Sequence, residues 1–129
     1  MKILIVDDDQ ETLNSIKNIL HPTHYEIRTT TFTDEAIDLI KNEDFDALIL
    51  DIKMQPVDGL TLLNEIRKLN QDLYVVIITA YEELPALEAS DKFRIHAIFR
   101  KPVDARLLIK ELREIKLLRE YEKKIGIRR

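Results

Sequence analysis

The sequence predicts an α/β domain in which five parallel strands alternate with helices, in the strand order 2-1-3-4-5. Three observations carry this. Short apolar runs and helical apolar stripes take turns five times along the chain, the pattern of repeated βα units. Two of the runs, residues 47–50 and 73–78, are apolar throughout, which suits strands covered by helices on both faces. The runs also end in acids, a hydroxyl or a lysine, on the sheet edge where open α/β folds bind ligands. Right-handed crossovers leave few arrangements, and this order puts the most apolar strands, the first, third and fourth, in the middle. A chain of 129 residues is the size of one domain with one core.

The first strand is expected over residues 2–6 and runs into Asp7-Asp8-Asp9. Asp9 is placed to cap a helix whose inner face carries Leu13, Ile16, Ile19 and Leu20. That helix should stop at His21-Pro22, because proline disfavours helix in the residue before it. Residues 25–29 read as the second strand. Thr33 is expected to cap the next helix, with Ala36, Ile37 and Ile40 facing the core. Residues 46–50 form the third strand, ending at Asp51. A loop through Pro56 leads to Gly59 and a third helical stripe of Leu62, Leu63, Ile66 and Leu69. Residues 73–78 form the fourth strand, ending in Thr79-Ala80. A short helix follows over 82–90, with Pro85 in its first turn, where the missing N–H costs little. Residues 95–100 form the last strand, ending in Lys101-Pro102. Asp104 opens an extended last helix to about residue 124, docked by Leu107, Leu108, Leu112 and Ile115, and Gly126 is a fitting stop. Residues 1–115 are expected to form the domain. Residues 116–129 would extend the last helix and begin a linker or tail.

Apolar residues make up 45% and charged residues 34%, as in ordinary globular proteins. No apolar run approaches a membrane span, and Met1-Lys2 leads directly into Ile-Leu-Ile-Val, so neither a membrane partner nor a secretory leader is expected. The absence of cysteine rules out disulfides, thiolate metal sites and thiol nucleophiles, and agrees with a cytoplasmic setting. Residues 1–112 hold 13 Lys+Arg against 21 Asp+Glu, whereas residues 113–129 hold 7 against 3. An acidic body argues against direct nucleic-acid binding. The basic tail reads as a solvated helix end or a contact for an acidic partner.

The strand ends gather chemistry. Parallel strands share direction, so Asp7, Asp8, Asp51, Thr79 and Lys101 emerge on one edge. Crowded carboxylates repel unless a cation sits among them, and hard oxygen donors with room for water suit Mg²⁺ or Mn²⁺. An ammonium and a hydroxyl beside such a cluster are what a tetrahedral oxyanion needs. A carboxylate is also a competent phosphoryl acceptor. The chemistry expected is phosphoryl transfer onto an aspartate.

These features resemble the receiver domain of two-component response regulators, a flavodoxin-like (βα)5 fold. The resemblance rests on the Asp-Asp pair after the first strand and on Asp51 with Gly59 eight residues on. Thr79-Ala80 and Lys101-Pro102 complete it, and it covers residues 1–115. It implies that Asp51 accepts a phosphoryl group from a sensor histidine kinase. Asp8 and Asp51 would then ligate the metal with the backbone carbonyl of Lys53, while Asp7 acts mostly through water. Lys101 would pair with the phosphoryl group, and Thr79 would move to bond it. The Lys101–Pro102 peptide is implied to be cis. The product would be a conformation controlling an output domain or downstream protein, so the chain is read as a signalling protein rather than an enzyme. Two positions depart from the family. Gln55 stands where the loop proline is usual, with Pro56 next. Ile98 stands at the usual switch aromatic, and Phe99 should point to the opposite face. Lys53 and Tyr81 would flank the path of attacking water and slow loss of the phosphoryl group.

Other residues read blandly. His21, His24 and His96 share no face or metal spacing and are expected as surface or capping residues. Asp58 reads as a loop acid, Arg100 as solvated, and Phe45, Tyr25 and Tyr74 as packing residues. Leu118, Tyr121 and Ile125 carry an apolar trace along the last helix, leaving a linker, a homodimer contact and a connection to an output domain open. A haloacid-dehalogenase-type phosphatase also uses a strand ending in Asp-x-Asp, but Glu11 stands where its Thr or Val is expected and no cap domain fits. A pseudo-receiver that never takes phosphate is disfavoured because every site position is filled.

Overall fold

The apolar pattern sorts cleanly onto two faces of one sheet. The structure, a computed structural model, describes residues 1–80 and 91–126. Its strands are β1 (Lys2–Val6), β2 (Glu26–Thr30), β3 (Ala47–Leu50), β4 (Tyr74–Thr79) and β5 (Ile95–Arg100). All pair in parallel, in the order β2-β1-β3-β4-β5. Its α-helices among the described residues are α1 (Gln10–Leu20), α2 (Thr33–Asn42), α3 (Gly59–Leu69) and α4 (Ala105–Ile125). Because side chains alternate along a strand, Leu4, Val6, Leu48, Leu50, Val75 and Ile77 pack under α2 and α3. Ile3, Ile5, Ala47, Ile49, Val76 and Ile78 pack under α1 and α4. The fold class and strand order are those expected, with strand limits displaced by a residue at β2, β3 and β4. The short helix expected over 82–90, with Pro85, and Tyr81 before it, lie outside the described residues.

Three of the four helices begin at an aspartate whose carboxylate accepts a first-turn N–H. Asp9 accepts from Glu11, Asp58 from Thr61 and Asp104 from Leu107, each satisfying an orphan donor. Asp58, read as a loop acid, is thus the cap of α3. Thr33 does not cap α2. It is the first helical residue, and the extended Phe32 at the cap makes no side-chain cap bond. Helix α1 gives way at Pro22 to a 3-10 turn, His21–Thr23. Helix α4 ends at Gly126 with φ +77°, a left-handed cap that glycine adopts without strain.

Leu108, Leu112 and Ile115 dock α4, whereas Leu107 is exposed. A further anchor is polar. Arg119, 4% exposed, returns to the N-terminal ends of β3 and β4. It donates to the carbonyls of Asp46 (3.3 Å) and Asp72 and to the Glu122 carboxylate (3.0 Å). Its guanidinium also lies 4.6 Å from the centre of the Tyr74 ring, a cation–π contact. The Tyr74 hydroxyl donates to Glu122, and burial together with that carboxylate pushes it up to about 12. Buried Arg67 does similar work beside it, donating to the carbonyls of Leu73 (2.6 Å), Phe93 (2.9 Å) and Arg94 (3.0 Å).

The turn from β3 into α3 is closed by the Gly59 N–H, which donates to the Ile52 carbonyl at 2.8 Å. A Cβ at 59 would stand 2.4 Å from the Asp51 carbonyl oxygen and 2.5 Å from the Ile52 Cα. Both obstacles are backbone, so they cannot swing aside. Gly59→Ala is expected to lower the unfolding free energy by about 1–3 kcal/mol in a urea titration, the cost of overpacking. A midpoint equal to wild type would show that the turn yields freely. Arg119→Met should cost about 3 kcal/mol in the same experiment, because Glu122 and two strand-entry carbonyls lose a buried partner. A loss below about 0.5 kcal/mol, the scale of an ordinary surface change, would show that Arg119 is not an anchor.

Candidate functional site

The ends of β1, β3 and β5 are drawn together by backbone bonds that continue the ladder past the strands. The Asp7 N–H donates to the Thr30 carbonyl (3.4 Å), Asp51 N–H to Val6 (3.1 Å) and Lys101 N–H to Thr79 (2.9 Å). Their side chains therefore rise from adjacent points. Lys101 Nζ donates to Asp7 Oδ2 at 2.8 Å and to Asp51 Oδ2 at 3.0 Å. Asp7 is 2% exposed and Asp51 5%, while Asp8 faces solvent. One carboxylate oxygen from each of Asp7, Asp8 and Asp51 lies within 4.8 Å of the others.

The remaining oxygens are also engaged. Asp7 Oδ1 accepts from the Asp9 N–H (2.9 Å) and Asp51 Oδ1 from the Lys53 N–H (3.0 Å). Burial pushes the Asp7 carboxyl above its ordinary range, against the opposing pull of Lys101 and the Asp9 N–H. Burial also works against the charged Lys101, but its hydrogen bonds to Asp7 and Asp51 outweigh this and hold it above its usual value. The ammonium is thus the resident counter-charge of two nearly dry acids.

Of the residues singled out in the sequence, Asp7, Asp8, Asp51 and Lys101 come together. Thr79 ends β4 beside them and is fully buried. Lys53 reaches the cluster through its backbone N–H, and its side chain is exposed. Lys101–Pro102 is cis, and so is Gln55–Pro56. Ile98 packs on the α2–α3 side and Phe99 on the α1–α4 side, so the ring does not replace the missing switch aromatic.

Sequence reasoning marked Gln55 as a departure but did not foresee its contact with the site. Its N–H donates to Asp8 Oδ2 at 3.1 Å, a bond that the usual proline at this position has no N–H to make. The departure therefore gives the exposed acid a fixed partner. The only sequence signal was the absent proline itself.

The donor set fits a small hard cation. Three carboxylates converge within the span of one coordination sphere, one of them open to water, and no soft or imidazole donor is among them. An acceptor oxygen on Asp51, a cation beside it and Asp7 and Asp8 around it could together serve phosphoryl transfer to a carboxylate.

Comparison with known proteins agrees with this arrangement. A family model for the response regulator receiver domain matches residues 3–113. The response regulator MprA of Mycobacterium avium is 33% identical over 84 residues, 65% of this chain and 37% of MprA. The chain thus spans little more than a third of the length of that curated relative. A CheY-like receiver domain protein from Methanospirillum hungatei superposes with a TM-score of 0.83 at 34% identity, covering 95% of this chain and 97% of the other. The response regulator TrrA from Thermotoga maritima, solved in complex with Mg²⁺-BeF, superposes with a TM-score of 0.78 at 27% identity, over 88% of this chain and 97% of TrrA. With its sheet order, its strand-end acids and lysine, and a family match spanning nearly the whole chain, this protein belongs to the response regulator receiver domain family.

Proposed function

We propose that the chain is a phosphorylation-switched receiver in which Asp51 takes a phosphoryl group from a sensor histidine kinase in a Mg²⁺-dependent reaction. The observation that carries this reading is Lys101 bridging Asp7 and Asp51 with the Asp8 carboxylate alongside. In the transfer, the N–P bond of the kinase phosphohistidine breaks, a P–O bond to Asp51 forms, and the released imidazole takes up a proton. Asp7, Asp8, Asp51 and the Lys53 carbonyl would hold Mg²⁺ (or Mn²⁺), which supplies charge neutralisation for the phosphoryl oxygens when bound. The complex of TrrA with Mg²⁺-BeF supports that metal class.

Asp51 Oδ2 is paired with the Lys101 ammonium. As negative charge arrives on the phosphoryl oxygens, the ammonium follows it, and the Asp7–Lys101 and Asp51–Lys101 contacts loosen. Thr79 adds a hydroxyl donor from the neighbouring strand end. With Ile98 in place of an aromatic, the change is passed on through Thr79 and the segment after β4. The product is a conformation, so the chain's own chemistry is limited to gaining and losing this group. Of the apolar trace on α4, Tyr121 and Ile125 are exposed and Leu118 is half-buried. Tyr121 and Ile125, with the exposed Leu117, give the surface for a homodimer or for an output domain or downstream protein. The acidic body argues against nucleic acid as the direct partner. No helix of the described residues is long and apolar enough to cross a membrane, and a cytoplasmic setting is part of this proposal.

The direct test is mass spectrometry after incubation with acetyl phosphate and Mg²⁺. Wild type should gain one phosphoryl group, and Asp51→Asn or excess EDTA should prevent it. An adduct that survives in Asp51→Asn would overturn the reading.

A second expectation follows from Lys101 as counter-charge. It competes with a metal for the same oxygens, so Lys101→Met should strengthen Mg²⁺ binding. Loss of a positive charge a few ångströms away is worth about 1–2 kcal/mol, roughly tenfold in affinity. The rise in Tm with Mg²⁺, which follows mass action, should therefore be larger in Lys101→Met than in wild type. An equal or smaller rise would show that the ammonium and the cation do not share these oxygens.

A further inference from the structure

The geometry points to a second cation site, remote from the strand-end acids, formed by His96, Glu111 and Glu114. We propose that it binds a borderline divalent metal of the zinc class and clamps α4 to β5. His96 is the second residue of β5. Val75 pairs with Ile95 and Val76 with Ala97, a register shift that leaves His96 as the extra residue. A bulge of this kind re-aims a side chain. Its effect is visible in the neighbours, since Ile95 packs on the α2–α3 side and Ala97 on the α1–α4 side, whereas residues two apart in a regular strand share a face. The imidazole is thereby delivered to α4. The Tyr74 ring packs edge-on against it with centroids 5.5 Å apart.

On α4, Glu111 and Glu114 are three residues apart, so they stand on the same face. Glu111 Oε2 lies 3.3 Å from His96 Nε2 and Glu114 Oε2 lies 3.9 Å away. One donor atom from each residue falls within 4.8 Å of the others. His96 Nε2 is shielded from solvent and has no hydrogen-bond partner among the described residues, although Glu111 is so near. A buried ring nitrogen left in this way needs a partner. Metal bonds of about 2.1 Å arranged tetrahedrally set donor atoms about 3.4 Å apart. Glu111 already meets that spacing, and the half-exposed Glu114 can close it by a side-chain rotation. One imidazole and two carboxylates, with a water completing the sphere, favour zinc over magnesium, which lacks affinity for nitrogen donors.

The site is separate from the phosphoryl-accepting cluster. Lys101 lies five residues further along the chain, roughly 16 Å of extended strand. The site also includes the middle of α4, through Glu111 and Glu114, an element that the other cluster does not use. Occupancy adds a cross-link between the last strand and the helix that carries the exposed Tyr121 and Ile125.

The test uses the full chain, stripped with a chelator and kept in excess Mg²⁺ so that the strand-end acids are occupied. Zn²⁺ is titrated against a chromophoric competitor, and Co²⁺ is added separately for its visible absorption. Wild type should bind one Zn²⁺ per chain, rise in Tm, and give the intense absorption of tetrahedral Co²⁺. His96→Gln and Glu114→Gln should each weaken Zn²⁺ by more than about tenfold, since even loss of a ligand's supporting partner costs that much. Asp51→Asn, which cannot take the phosphoryl group, should bind Zn²⁺ like wild type. Glu114 is half-exposed, so its variant remains informative should His96→Gln fail to fold. Absence of Zn²⁺ binding in wild type would show that His96 and Glu111 form an ion pair only. Equal affinity in wild type and Glu114→Gln would place any bound Zn²⁺ elsewhere. Either result overturns the proposal.

Discussion

Two ionised carboxylates held almost out of water repel each other strongly unless a positive charge lies between them. Asp7 and Asp51 meet that condition through the Lys101 ammonium, at 2.8 and 3.0 Å. Burial makes the charge of Asp7 costly, and the neighbouring Asp51 adds to that cost. Lys101 is therefore the charge that offsets the repulsion of these two acids at the edge of the sheet. Its own position depends on β5 being in register with β4, since its N–H is bonded to the Thr79 carbonyl. The chemistry of the site and the pairing of the last strand are thus one constraint.

The opposite edge of the sheet is held by cations as well, with a different logic. Arg119 and Arg67 are buried, and they spend their donors chiefly on backbone carbonyls at the entries to β3, β4 and β5. Burial, and then the nearby Arg94, bring Arg67 down to about 10, still charged at neutral pH. These residues tie strand entries to α3 and α4, leaving the exits free to carry reactive groups. The entry edge is thus held by buried guanidinium groups bonded to carbonyls, and the exit edge by one ammonium bonded to two carboxylates.

The local sequence was a good guide wherever one residue type has one physical use. Unbroken apolar runs marked the central strands, and Asp9, Asp104 and Gly126 marked helix ends. Thr33 failed as a cap because the chain enters α2 one residue earlier, at Phe32. Asp58 was read as a loop acid because nothing nearby says that α3 begins at Gly59, and Leu107 was assigned to the core because an apolar side chain carries no label for the face it occupies. The largest miss concerns charge. Arg119 carries a charge within the apolar spacing of the last helix and was not singled out in the sequence as a docking residue, yet it is one of the most buried residues of α4. A guanidinium on a long stem reads as solvent-facing until a set of carbonyls and an aromatic ring are brought to it.

What the sequence by itself determined is the alternation of strands and helices, the two-faced core and the identity of the groups at each strand exit. These follow from period-two and helical apolar spacing and from single residues at run ends, all local properties. What only the tertiary structure decided is which of those groups touch. Lys101 reaches Asp7 across 94 residues of chain, Gln55 fixes Asp8 across 47, and a one-residue register shift in β5 turns His96 toward Glu111 and Glu114. Such contacts arise from strand register and helix docking, which depend on the packing of the whole sheet, and no local pattern encodes them.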